Sequence, residues 1–133
     1  MTDTSKTISH IIETGESPYT VNIKVNGFTF KGDEPESFGG GNTGPSPYDL
    51  LLAALGECTA MTVRWYALHK QWPLDKVEVT ATHQKIDKQD TFEKKITLHG
   101  DSLSAEQRQK LIEISSNCPI QKTLEGNVEI SVI

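Results

Sequence analysis

At 133 residues the chain has room for one domain with a real core, and residues 1–133 are read as that single domain. A net charge of −5 and a pI near 5.3 argue against nucleic acid or an anionic membrane as the main partner. The hydrophobic share of 35% is low, so part of the core is expected from a partner subunit. Residues 1–6 hold no apolar signal-peptide core, which makes a cytoplasmic location the expectation. The two cysteines, 60 positions apart, do not form a metal site, and a structural disulfide is not expected in a reducing compartment.

Residues 7–13 are read as a first strand, and Gly15-Glu16-Ser17-Pro18 as a turn. Tyr19, Val21, Ile23 and Val25 alternate with Thr20, Asn22 and Lys24, the period of a half-buried strand. Asn26-Gly27 is a strong hairpin signal, and Phe28-Thr29-Phe30-Lys31 returns as the next strand. Gly32, Pro35, Gly39, Gly40, Gly41, Gly44 and Pro45 mark a loop. Its glycine run suggests a phosphate cradle, but it lacks the Lys-Ser/Thr of a P-loop and the dinucleotide fingerprint. A flexible lead-in to a helix is the expected reading.

That helix begins with Ser46 as N-cap, Pro47 at the first helical position and Asp49 three residues after the cap. It runs to about Lys70. Leu51, Leu55, Cys58, Thr62 and Trp65 form one stripe. Leu50, Leu52, Ala53, Ala54 and Met61 spread apolar surface further, so burial on several sides is expected. Gly56 costs about 1 kcal/mol relative to Ala, tolerable where another backbone approaches closely. Asp49, Glu57 and Arg64 interrupt the apolar run, so the helix does not span a membrane.

Trp72-Pro73 stops the helix. Val77, Val79 and Ala81 open a strand through about Lys85, Asp87-Lys88-Gln89-Asp90 is a turn, and Phe92 to His99 is the return strand. Lys94-Lys95 is read as solvated surface. Ser104 and Gln107 have capping-box spacing for a further helix, with Leu111, Ile114 and Cys118 on one face. Pro119 allows a short helical turn with Cys118 at its N-cap. Gly126-Asn127 is a turn, and Val128, Ile130 and Val132 are read as a last strand. The order β-β-β-α-β-β-α-β defines an α+β fold.

A lone cysteine on an apolar helix face, as at Cys58, is most often core packing. Cys118 is more suggestive, because a thiol at a helix N-terminus gains thiolate character. Together they permit a thiol–disulfide cycle, although spacing by itself does not show that they meet. His10, His69, His83 and His99 lack HExxH or CxxC-type spacing, so no metal is expected. A cysteine hydrolase needs a histidine beside Cys58, and the sequence does not place one there. Trp65, Tyr66 and Trp72 are read as core and dimer packing.

The stretch Gly44-Pro45-Ser46-Pro47-Tyr48-Asp49-Leu50-Leu51-Leu52-Ala53-Ala54-Leu55-Gly56-Glu57-Cys58-Thr59-Ala60-Met61-Thr62 resembles the central-helix motif of the OsmC/Ohr family. Those are osmotically induced protein C and the organic hydroperoxide resistance proteins. Cys118-Pro119-Ile120-Gln121-Lys122-Thr123-Leu124-Glu125-Gly126-Asn127-Val128 is similar to its second cysteine motif. The resemblance covers nearly the whole chain. It implies an intertwined homodimer with antiparallel sheets wrapped around long central helices. It also implies a thiol peroxidase with Cys58 as peroxidatic and Cys118 as resolving residue. The expected substrates are organic hydroperoxides and, as a second candidate, hydrogen peroxide. The resemblance implies no metal and no bound organic cofactor, only an external dithiol reductant of lipoyl type. A non-catalytic small-molecule binding protein on the same fold and a cysteine-dependent hydrolase are the alternatives.

The chain departs from the family pattern in two places. Peroxidases of the family hold the thiolate with an Arg on the N-terminal sheet, whereas this chain has only Arg64 and Arg108, both in later helices. They also carry a Glu after the Pro that opens the central helix, where this chain has Tyr48 followed by Asp49. Asp49 is therefore read mainly as a helix-start residue and secondarily as a supporting carboxylate. Glu57 would oppose a Cys58 thiolate if the two charges approached.

Overall fold

The computed structural model describes residues 6–133; residues 1–5, which carry most of the expectation about a signal peptide, lie outside the described residues. The chain forms two compact units, one ending at Leu50 and one from Leu51 to Ile133.

The first unit is an antiparallel three-stranded sheet of β1 (Ser9–Glu13), β2 (Val21–Val25) and β3 (Phe28–Gly32), with Ile11, Ile23 and Phe30 in register. The β2–β3 turn places Asn26 at φ 49° and Gly27 at φ 81°, the two left-handed positions that a two-residue hairpin of matching twist requires. Ile23 is the buried member of the alternating set.

After a 3-10 turn at Glu36–Phe38, the glycine-rich loop closes on a carboxylate of its own chain. Asp33 is 3% exposed. It accepts hydrogen bonds from the hydroxyls of Thr43 (2.7 Å) and Thr20 (2.9 Å) and from the N–H groups of Glu34 (2.8 Å), Gly41 and Thr43 (each 3.2 Å). A Cβ at Gly40 would lie 2.0 Å from the Glu34 carbonyl oxygen, and one at Gly44 2.0 Å from that of Lys31. The glycines thus admit close main-chain contacts, and amides that resemble a phosphate cradle already hold an internal anion.

Helix α1 (Pro47–Lys70) has the bounds its signals predict. Ser46 and Asp49 form a reciprocal box: Asp49 N–H donates to Ser46 Oγ (3.3 Å), and Ser46 N–H donates to Asp49 Oδ2 (2.9 Å). The buried face is Leu55, Thr59, Val63 and Ala67, one position round from the expected stripe. Trp65 is 56% exposed and lies against His69, with ring centroids 4.0 Å apart. At Gly56 a Cβ would meet only the Val79 side chain, at 3.9 Å, so the expected close backbone approach does not occur among the described residues.

The second unit continues with the long hairpin β4 (Lys76–Ile86) and β5 (Gln89–His99), turned at Asp87 (φ 51°) and Lys88 (φ 69°). Helix α2 (Ala105–Ile114) carries the predicted Ser104/Gln107 capping box, with Gln107 N–H donating to Ser104 Oγ (3.1 Å) and Ser104 N–H to Gln107 Oε1 (2.9 Å). A 3-10 turn (Ser115–Asn117) leads to α3 (Pro119–Glu125). Val63, Ala67, Leu74, Leu103 and Leu111 form the core, lined by Tyr66, Trp72, Val77 and Leu98. The last strand does not form: among the described residues nothing pairs with residues 127–133, and Val128, Ile130 and Val132 are exposed. A strand needs a neighbour for its N–H and C=O groups, and the described residues offer it none.

Candidate active site

Both cysteines belong to the second unit and lie together. Cys58 projects from the middle of α1 and is half-buried; Cys118, at the N-cap of α3, is fully buried. Both are free thiols, close enough that each acts on the other's ionisation. The 3-10 turn after α2 delivers Cys118 to this position, and Pro119, lacking an N–H, starts the next helix beside it. Gln121 N–H donates to Cys118 Sγ at 3.4 Å. The Ile120 N–H and the Thr62 hydroxyl reach Cys58, and Thr59 and the Ile120 N–H also reach Cys118.

These surroundings separate the two thiols. Burial raises both. For Cys118 it is outweighed by the Gln121 N–H, the Cys58 thiol, the Thr59 hydroxyl and the Ile120 N–H, which hold it below the ordinary thiol value. For Cys58 burial prevails, aided by the Cys118 neighbour, and pushes it above that value. The first negative charge of the pair therefore rests on buried Cys118, while the more accessible Cys58 keeps the proton.

Lys94, read from sequence as solvated surface, is the residue missed. It is half-buried and donates to Thr59 Oγ1 (3.0 Å) and to the Ser115 carbonyl (2.8 Å). Thr59 is itself fully buried, with Oγ1 2.7 Å from the Leu55 carbonyl. Burial lowers the Lys94 ammonium, and the charges of Cys118, Cys58 and Glu125 oppose that lowering. Lys95 is exposed, as expected. A sequence signal for Lys94 existed: it lies in phase with Phe92, Ile96 and Leu98, the inward face of β5.

The remaining candidates lie elsewhere. Asp49 is engaged at the start of α1, and Glu57 is exposed. Arg64 donates to the carbonyls of Leu74 (2.8 Å) and Asp75 (3.1 Å), and Arg108 to those of Leu98 (2.9 Å) and Gly100 (2.5 Å). Both arginines pin chain reversals. His69 meets the Trp65 carbonyl, His83 meets Asp90 and His99 meets Glu78. Among the described residues no cluster of His, Cys, Asp or Glu could hold a metal, and no helix is long and apolar enough to cross a membrane.

Antiparallel sheets, a long helix and a paired-cysteine site define an α+β protein of the OsmC type. The family model described as OsmC-like protein matches residues 39–133, and the chain belongs to that family. Solved structures agree in fold. An organic hydroperoxide resistance protein OsmC from Legionella pneumophila is 17% identical, with a TM-score of 0.70 over 96% of this chain and 95% of that one. OhrB of Bacillus subtilis, an organic hydroperoxide resistance protein, is 19% identical, with a TM-score of 0.64 over 94% of each chain. An OsmC-like protein from Mycoplasma pneumoniae is 18% identical, with a TM-score of 0.73 over 93% and 90%. No curated protein matches the chain in sequence.

Proposed function

We propose that this protein is a thiol-dependent peroxidase that reduces organic hydroperoxides through Cys58 and Cys118 and works as a homodimer. The observation that carries the reading is the contact between two free thiols on separate elements, one accessible and one buried, in a chain of the OsmC-like family. Fold relatives described as organic hydroperoxide resistance proteins support the substrate class.

Cys58 is the sulfur a peroxide meets, because Cys118 is buried. The Cys118 thiolate takes the proton of Cys58. The Cys58 thiolate then attacks the terminal peroxide oxygen, forming an S–O bond as O–O breaks and leaving Cys58 a sulfenic acid. The departing alkoxide takes the proton back from Cys118 and leaves as alcohol. The Cys118 thiolate attacks the Cys58 sulfur and expels hydroxide, and two electrons have passed from the thiols to the peroxide. An external dithiol, for which the family suggests a lipoyl type, reduces the disulfide by exchange. No metal or bound organic cofactor enters this cycle.

The test is a short pulse of cumene hydroperoxide followed by mass spectrometry. In wild type both thiols should disappear without linking chains. In Cys118→Ser, Cys58 should stop at a sulfenic acid trapped by dimedone, and in Cys58→Ser the remaining Cys118 should stay reduced. Slow, equal oxidation in all three proteins sinks the reading in favour of packed core thiols.

A further inference from the structure

We propose that Lys94 is the positioning cation of the thiol pair: one ammonium that clips both cysteine-bearing segments together and holds the charge shared by their sulfurs. The inference rests on the peroxidase reading for its chemistry, but its geometry stands apart from it. Lys94 Nζ donates to Thr59 Oγ1, on the residue next to Cys58, and to the Ser115 carbonyl, three residues before Cys118. A lysine ammonium has three N–H donors. Two therefore tie β5 to α1 at the residue next to Cys58 and to the turn that delivers Cys118, and the charges of both sulfurs act on the ammonium.

This supplies a cation in a chain whose two arginines are spent on main-chain carbonyls. Accepting from Lys94 also orients the Thr59 hydroxyl, whose single proton then points to Cys118 or to the Leu55 carbonyl. The groups whose charge bears on Lys94 are Cys58 from α1, Cys118 at the N-cap of α3, and Glu125 at the end of α3. Both thiols ionise within the neutral to alkaline range. A cation beside the pair favours its singly ionised state, and the same attraction keeps Lys94 protonated while a thiolate is present. Formation of the disulfide removes that charge.

The test uses thiol alkylation as well as turnover. The rate of iodoacetamide reaction should be followed against pH in wild type, Lys94→Gln and Lys94→Arg. Lys94→Gln should move the midpoint to higher pH. Its rate at neutral pH should fall about tenfold, the equivalent of one unit of thiol pKa, while the alkaline plateau should stay within about threefold. Lys94→Arg should restore most of the neutral-pH rate. An unchanged midpoint in a folded Lys94→Gln overturns the inference. If that variant does not fold, 13C NMR titration of Lys94 Cε in the wild type decides. Lys94 should lose its proton at lower pH in diamide-oxidised protein than in reduced protein, and equal midpoints overturn the inference. A wild type that consumes no hydroperoxide, yet whose thiol reactivity depends on Lys94, would end the peroxidase reading and keep this one. Normal turnover with a Lys94-independent pH profile would do the reverse.

Discussion

Asp33 shows how much one buried charge can organise when every oxygen is met. Burial by itself would raise its pKa, but the Thr43 hydroxyl, the Glu34 and Gly41 N–H groups and the Thr20 hydroxyl hold the carboxyl well below the carboxylate range. A group whose folded value is lowered contributes stability that is present above its unfolded value, here near 3.8, and that is lost as pH falls through the folded value. Asp33→Asn puts an amide N–H₂ among donors that need an acceptor. It should lower the melting temperature by several degrees at pH 7, and the gap to wild type should narrow as the pH is taken below about 4. Thermal scans from pH 7 down to pH 2 check this; a gap that stays constant over that range would mean that the carboxylate charge is not what holds the loop.

The elements follow their local signals closely wherever those signals are chemical. Ser46-Pro47 with Asp49 and Ser104 with Gln107 both start helices through reciprocal boxes. Because Asp49 is used in this way, Asp49→Asn should cost at most about 1 kcal/mol by denaturant melt. It should leave hydroperoxide turnover unchanged, and a large loss of turnover at unchanged stability would restore Asp49 as a supporting carboxylate. Asn26-Gly27 and Asp87-Lys88 turn their hairpins as two-residue loops with both residues left-handed. What the sequence leaves open depends on neighbours far along the chain. The buried face of α1 falls on Thr59 rather than Cys58, because α1 is apolar nearly all round and its pattern does not choose a face. In the sequence only the family motifs point to the meeting of Cys58 with Cys118. Lys94 was hidden by Lys95: read as a pair they look like surface, while the period of two separates them onto opposite faces of β5. The tail at Val128, Ile130 and Val132 has the alternation of a strand and lacks only a partner.

At the scale of the whole molecule, that tail and one face of α1 lead to the same expectation. Met61 (62% exposed), Trp65 (56%) and Leu68 (65%) line an apolar groove with Ala60, Arg64 and Val77. A monomer in water rarely leaves such a contiguous patch uncovered, and an unpaired apolar strand is a template for pairing with another chain. With a net charge of −5, copies repel weakly at long range, so apolar burial must supply the association. The expected state is a homodimer, with a mass by light scattering at micromolar concentration of twice 14.7 kDa. In that dimer the amides of residues 128–132 should be protected from hydrogen exchange as strand amides are. Trp65→Lys places a charge in the groove and should shift the mass toward the monomer and remove that protection together, or abolish folding if the partner completes the core. A wild type that runs as a monomer, or a folded Trp65→Lys that keeps both the dimer mass and the protection, would show that this face of α1 is not where the copies meet.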